Sequence, residues 1–467
     1  MPAARRPSPL LALCTTALIL SVAGCAKPEP PKEEPKETAP PAAASKVPPI
    51  CNPNSPCAGS TCQAAITAAS ATVPPDACPR YFENQADTDV FAWNSFIALN
   101  WPADTATCSA KTTASISDPG PRVWETYASP SDVFVAKGKP KAWCSDALRA
   151  SLAGPRPFGQ IAKAPHLLLA SLHGMASLQG TAGLEGIDEA VGGVLTDQNR
   201  RFVRYEIHLN QDEYNYLTVP GNDLWQKSGQ VGKTINFPQG PNDQPSRCGA
   251  QPCGPVGAME IKSAWKVLSD TEKAAGNFYM TEGTVYNNAK GDKSPGKNPV
   301  TLGLVGLHIL HKTEKEPFWF WATFEHVDNT TKSFFNPNCK DCKDNTQTAA
   351  KPPPPYTELL PNGQPINKPV QVVRTTPIEK NDAEAPPLNK YYQGLLRDAG
   401  SVFQNYELVS VQWAFGAAKD GFPPVLANTV LETYVQKTSS CMGCHKALAR
   451  TAVGTPADFS FVLGAAH

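Results

Sequence analysis

No apolar run of about 20 residues follows position 25, so no later segment of the sequence can cross a bilayer as a helix. The chain has no excess charge of either sign, with 42 basic and 42 acidic residues, and no basic block. That balance argues against a nucleic-acid partner. Glycine-rich phosphate loops, internal repeats, an H-E-x-x-H zinc helix and a Ser-His-Asp order are all missing. Methionine is scarce, at five residues, which shortens the roster of thioether ligands. Proline is not scarce: its 47 residues gather in linkers.

What is present begins at the N-terminus. Arg5 and Arg6 precede a short apolar stretch from Leu10 to Val22, which ends in Val22-Ala23-Gly24-Cys25. A basic n-region, a short h-region and small residues before a cysteine predict a lipoprotein signal peptide over 1–24. Cys25 is then the lipid attachment site and the membrane tie. Ala26, rather than Asp, follows it, which points to the outer membrane over the inner one. Residues 25–50 are rich in Pro, Glu and Lys and predict an extended tether reaching roughly 70 Å.

The most specific motif lies far downstream. Cys441-Met442-Gly443-Cys444-His445 is a C-x-x-C-H run, the spacing that attaches a c-type haem. Each thiol adds to a vinyl group, and the adjacent histidine becomes the proximal iron ligand. A redox C-x-x-C and half of a zinc site are the competing readings. The first should follow a strand in a βαβ unit, which the surrounding pattern lacks. The second needs another ligand pair, for which Cys339 and Cys342 are the one candidate. Export and covalent haem support each other, because haem c is attached outside the cytoplasm.

The chain has 14 cysteines. With Cys14 in the signal, Cys25 lipidated and Cys441 and Cys444 on haem, an even set remains: Cys51, Cys57, Cys62, Cys78, Cys108, Cys144, Cys248, Cys253, Cys339 and Cys342. In an exported chain this predicts disulfides. Cys248/Cys253 and Cys339/Cys342 can pair locally; the connectivity of the other six is open.

Hydrophobic periodicity predicts an α+β fold: mixed helices and a largely antiparallel sheet body, with a C-terminal helical segment that binds haem c. The organisation reads as an α+β body over 51–335, a Pro-rich loop over 336–385 and a haem-bearing region over 386–467. Helices are expected over 87–101, with Asn94 as the polar member of its face, over 389–398 and over 424–436. Ala258 to Leu268 reads as a short helix or the start of one. Strands are expected over 202–209, 302–311, 317–327 and 406–415, the middle two as a hairpin. His208 falls on the polar, solvent-facing side of the first strand. Gly303 and Gly306 sit within a strand pattern as packing features.

Several stretches carry a resemblance. They are Trp93 to Pro102 (WNSFIALNWP), Gly303 to Ile309, Trp321 to Asn329 and Ser439 to His445. Together, over roughly residues 80–450, the chain resembles a group of bacterial exported, cytochrome c-like proteins. The resemblance implies a c-type haem and an export route, and no reaction. The chain departs from small soluble cytochromes c, which carry C-x-x-C-H near the N-terminus and an axial Met downstream. Lys446 to His467 contains no Met. The upstream body must therefore build most of the haem pocket.

The expected function is extracytoplasmic electron transfer through one covalent haem, with a redox partner protein. The alternative is a haem-dependent oxidoreductase, a peroxidase or an oxygenase. For the distal iron ligand, Met259 and His308 lead a field that also holds Met175, Met280, His166, His173, His208, His311, His326 and His467. His308 and His311 differ by an odd number in one strand, so at most one faces the haem. Glu260, Glu325, His326 and Asp328 are the candidate polar groups of an enzyme pocket, each with a plain structural alternative. No catalytic residue is assigned.

Overall fold

Helix α1, Gln85–Leu99, lies across one face of an eight-stranded sheet in the computed structural model. The model describes residues 71–74, 82, 85–152, 154–158, 195–240, 254, 256–285, 299–340, 342–346, 369–378, 388–414 and 421–467. The signal sequence, Cys25, the tether and Cys51, Cys57, Cys62, Cys78, Cys248 and Cys253 lie outside the described residues, as do His166, His173, Met175 and Phe415. So does much of the expected Pro-rich loop.

The strands are β1 (Arg156–Phe158), β2 (Arg204–Leu209), β3 (Met259–Val267), β4 (Met280–Val285), β5 (Val300–His311), β6 (Phe320–His326), β7 (Tyr406–Ala414) and β8 (Gly421–Phe422). Their order is β8-β7-β6-β5-β3-β2, with β4 also on β5 and β1 on β4. All pairs are antiparallel except β1 with β4. The fold is α+β with a largely antiparallel sheet, as the periodicity predicts. The expected hairpin is β5–β6, with His308 opposite Thr323. Strand β7 pairs with β6, so the region after residue 386 completes the same sheet.

Both sheet faces are covered. On the first, α1 and helix α3 (Leu388–Asp398) pack over Ile261, Trp265, Leu307, Ile309, Phe324 and Val411. Trp93 of α1 stacks on Tyr392 of α3 with centroids 5.0 Å apart. Asn94 accepts a hydrogen bond from the Tyr392 hydroxyl at 3.3 Å, a structural contact. On the second face, Tyr214 and Leu217 of helix α2 (Gln211–Thr218) and the segment 421–467 cover Leu209, Leu310, Trp321 and Val409. Val409 departs from its expected neighbours Val411 and Trp413 because the β6–β7 register skips it, which turns its side chain to the other face.

Three expectations are corrected. Ala258 to Leu268 is mostly strand, not helix, because β3 is paired on both sides, by β2 and β5, and sheet pairing outweighs local helical spacing. Residues 424–436 form irregular turns, not a helix. Their polar side chains are spent on the sheet: Asn428 Nδ2 donates to Thr323 Oγ1 and to the Phe324 carbonyl, both at 2.8 Å. Thr429 donates to Glu325 Oε2 through both N–H and hydroxyl. Such bonds compete with the helical ladder. His208 is buried, with its ring against the Trp124 edge at 5.4 Å, so its face of β2 is not solvated.

The two strand glycines mark close approaches. A Cβ on Gly306 would meet Val430 Cγ2 at 2.7 Å, and one on Gly303 would meet Leu268 Cδ2 at 2.7 Å. Disulfides join Cys108 to Cys144 and Cys339 to Cys342. No helix among the described residues is long and apolar enough to cross a membrane.

His326 ties the far end of β6. Its Nε2 donates to the Asn277 carbonyl at 3.0 Å, its Nδ1 accepts from Asp328 N, and its ring stacks on Phe278. Burial lowers its pKa from 6.5 to about 4. The unfolded chain therefore binds a proton below pH 6.5 that the native state refuses until about pH 4, and stability falls as pH drops through that window. At pH 5 this group should cost about 2 kcal/mol relative to neutral pH. Urea unfolding at pH 7.5 and pH 5 should show that His326→Gln loses less stability on acidification than the wild type.

Candidate functional site

The C-x-x-C-H run opens helix α4, Cys441–Leu448. Ser440 caps it, accepting from Gly443 N at 3.1 Å. Only these eight residues of the expected C-terminal helical segment around the motif are α-helical. Cys441, Cys444 and His445 stand at i, i+3 and i+4, so they share one helix face. Neither cysteine is in a disulfide.

A buried amide docks α4 on the sheet. Gln412 of β7 is fully buried; its Oε1 accepts from Met442 N at 2.7 Å and from Ser440 Oγ, and its Nε2 donates to the Pro423 carbonyl. Gly421 allows this, since a Cβ there would meet Gln412 Cδ at 2.5 Å. A glutamine in the largely apolar second half of a strand with both faces covered is the sequence signal for such a clamp, because an unbonded buried amide is costly.

His445 is held by backbone. Its Nδ1 donates to the Phe459 carbonyl at 2.6 Å, which fixes the proton on Nδ1. Its Nε2 makes no hydrogen bond among the described residues and stays free to coordinate. Phe461 and Trp321 flank the ring at 4.6 and 5.6 Å between centroids. Trp321 Nε1 is buried with no acceptor among the described residues. Desolvation lowers the His445 pKa to about 4, so the imidazole is neutral, as a ligand must be. The turn that presents the Phe459 carbonyl is strained: Asp458 and Phe459 have φ of 49° and 70°. Left-handed non-glycine residues cost of order 1–3 kcal/mol each. Lys312 pairs with Asp458 Oδ2, Phe237 N donates to the same oxygen at 2.8 Å, and Trp319 Nε1 donates to the Asp458 carbonyl at 2.9 Å.

The thiols are not activated. Burial raises the Cys441 pKa well above its ordinary value and Glu432 adds to it; burial also raises Cys444. Redox-active C-x-x-C pairs have the opposite character, a lowered pKa at a helix N-terminus. A zinc site fares no better: Cys339 and Cys342 are bonded to each other, and no group of three or more His, Cys, Asp or Glu among the described residues is disposed to hold a metal ion. Two free thiols on one helix face beside a neutral imidazole with Nε2 open are the donor set that c-type haem attachment requires.

The distal candidates separate by face. Met259 belongs to the α1 core, across the sheet from the core that holds Cys441 and Met442. His311 also faces α1, stacked on Phe91 at 6.0 Å. His308 lies on the α4 side, close enough to act electrostatically on His445, with its Nε2 3.4 Å from Glu432 Oε2. Lys262, its cross-strand neighbour, also acts on His445. Met280 and the terminal His467 are exposed.

The other candidate polar groups do not converge on His445. Glu325 is consumed by Arg374 and Thr429. Asp328 accepts Lys332. Glu260 is buried on β3, where burial raises its pKa to about 7. Sequence spacing alone gave no signal for Trp321, Glu432, Lys262 or Phe459, which arrive from four separate segments.

Fold and site together define an α+β protein that carries a C-x-x-C-H helix on one face of its sheet. No protein-family model, curated protein or solved structure matches the chain.

Proposed function

We propose that the chain is a lipid-anchored, single-haem c-type electron carrier that works outside the cytoplasm with a redox partner protein. The observation that carries this reading is the state of the motif: two free thiols and an imidazole whose Nδ1 proton is committed to the Phe459 carbonyl, leaving Nε2 open. Bound there, haem c would supply a one-electron iron centre. Cys441 and Cys444 would hold it covalently and His445 would ligate its iron. The Phe459 carbonyl fixes the ring orientation and makes Nε2 a stronger donor. Trp321 and Phe461 restrict water around the imidazole. His308 is the candidate second ligand, since it shares the sheet face of the motif. Cys25 would tether the protein, with the outer membrane favoured.

A haem-dependent oxidoreductase is the second reading, and the His308–Glu432 pair is what favours it. An imidazole 3.4 Å from a carboxylate is a pair suited to moving protons beside an open iron. One experiment tests both. The exported protein, produced in cells that mature c-type cytochromes, should keep its haem through denaturing electrophoresis; loss of haem there overturns both readings. In the native protein, a low-spin iron that ignores CO supports the carrier, and a high-spin iron that binds CO at once supports the oxidoreductase.

A further inference from the structure

The Cys339–Cys342 disulfide takes no part in the motif cluster, and its setting differs from that of Cys108–Cys144. Its cysteines are three positions apart in the chain, against 36 for the other pair. Both are half-buried and lie outside helix and strand, whereas Cys108 is buried. A bond across so short a loop constrains the unfolded chain less than one across a long loop. Exposed disulfides are also the ones that exchange with external thiols. A disulfide under attack needs no activated thiol of its own, because the nucleophile comes from outside.

What the bond braces is specific. Asn336, three residues before Cys339, and Asn345, three residues after Cys342, grip one segment, residues 369–376. Asn336 N donates to Gln371 Oε1, and Gln371 Nε2 donates back to the Asn336 carbonyl, both at 3.1 Å. Asn345 N donates to the Gln371 carbonyl at 2.8 Å. Asn345 Nδ2 donates to the Val373 carbonyl at 2.7 Å, and its Oδ1 accepts from Val373 N at 3.0 Å. The gripped segment in turn holds the chain that leads into the motif. Gln436, buried and five residues before Cys441, donates through Nε2 to the Val373 carbonyl at 3.0 Å and accepts from Thr375 N at 2.9 Å. Thr376 Oγ1 donates to the Gln436 carbonyl at 2.9 Å, and Arg374 pairs with Glu325. With the bond closed, the Asn336 and Asn345 grips are covalently fixed to each other. With it open, each grip must hold alone, and the chain between them regains conformational freedom.

We propose that Cys339–Cys342 is a reversible thiol–disulfide exchange site for a dithiol donor, and that its oxidation state sets how firmly residues 369–376 hold Gln436 ahead of the motif. A thiolate of the donor attacks one sulfur of the pair. A mixed disulfide forms, the Cys339–Cys342 bond breaks, and the departing thiolate takes a proton. The second donor thiol, deprotonated, then attacks the mixed disulfide and releases the other cysteine, which also takes a proton. Two electrons and two protons pass in all, and the donor leaves as a disulfide. None of these steps involves haem.

The experiment titrates the exported full chain with dithiothreitol under native conditions, traps free thiols with iodoacetamide and maps the labelled peptides. Cys339 and Cys342 should be labelled at a dithiothreitol concentration about tenfold below that needed for Cys108 and Cys144. Circular dichroism of the same samples should show an intact fold. Hydrogen exchange then reads the clamp at Val373 and Thr375, whose N–H groups donate within it. Exchange at both should be on the order of tenfold faster in the reduced protein and in the Cys339→Ser, Cys342→Ser double variant. Reduction of the wild type serves where the variant does not fold. Labelling of all four cysteines together, or reduction that leaves exchange at Val373 and Thr375 unchanged, overturns the proposal.

Discussion

Cys441→Ala combined with Cys444→Ala should abolish denaturation-resistant haem while the chain still folds. Each thiol offers one thioether bond, so each single variant should keep one covalent link and a reduced yield of stained protein. The double variant keeps His445, whose coordination of haem would not survive denaturation. The cost to the fold should be small, about 1 kcal/mol, because alanine keeps the helix and removes one buried sulfur at Cys441. Haem staining after denaturing electrophoresis, beside circular dichroism of the same samples, separates lost attachment from lost folding. Equal haem stain in the double variant and the wild type would remove the basis for covalent haem.

Glu325→Ala should be the most destabilising single change away from the motif. Glu325 is 1% exposed, is paired with Arg374, and accepts from Thr429 N at 3.0 Å and Thr429 Oγ1 at 2.9 Å. Truncation strands a mostly buried guanidinium and two buried donors at once. Breaking one side of a buried pair costs roughly 3–5 kcal/mol. Glu325→Gln keeps an acceptor for Thr429 and should lose less. Urea midpoints of the three proteins at neutral pH check the order wild type, Gln, Ala; equal midpoints for Glu325→Ala and wild type would show that the 428–429 turn is not latched to β6. In the holo-protein Glu325→Ala should also release haem-bearing fragments more readily under limited proteolysis, since residues 428–436 connect the latch to α4.

Legibility followed the number of faces a segment could show. Helix α1 and strands β5, β6 and β7 are readable because each carries a long apolar stretch, although the register skip at Val409 breaks the alternation within β7. Strand β3 was misread since both of its faces are buried and Lys266 is polar there, paired with Asp197 and Glu272. A lysine in that position reads as solvated, and only the fold supplies its carboxylates. Residues 424–436 had helical apolar spacing, yet Asn428, Thr429 and Gln436 bond β6 and residues 373–376 instead. The site was legible as a motif and not as an environment. C-x-x-C-H is local, while Trp321, Gln412, Glu432 and the Phe459 carbonyl reach it through tertiary contacts. The face parity of His308 and His311 was legible, because strand alternation is a local property.

The burial of Cys441 sets an order in time. Its side chain ends only 9% exposed, with a thiol that burial keeps protonated. A protonated, enclosed thiol is a poor nucleophile. A chain emerging N-terminus first presents every strand of the sheet before it presents α4. Strands β1 to β7 are therefore available to pair before 421–467, which carries β8 and the motif, is laid over β6 and β7. Any bond made to these sulfurs belongs to the interval before that lid shuts. The latch at Glu325 and the clamp at Gln412 thus work as a clock: loosening either should lengthen the interval in which the cysteines can react, and tightening either should shorten it.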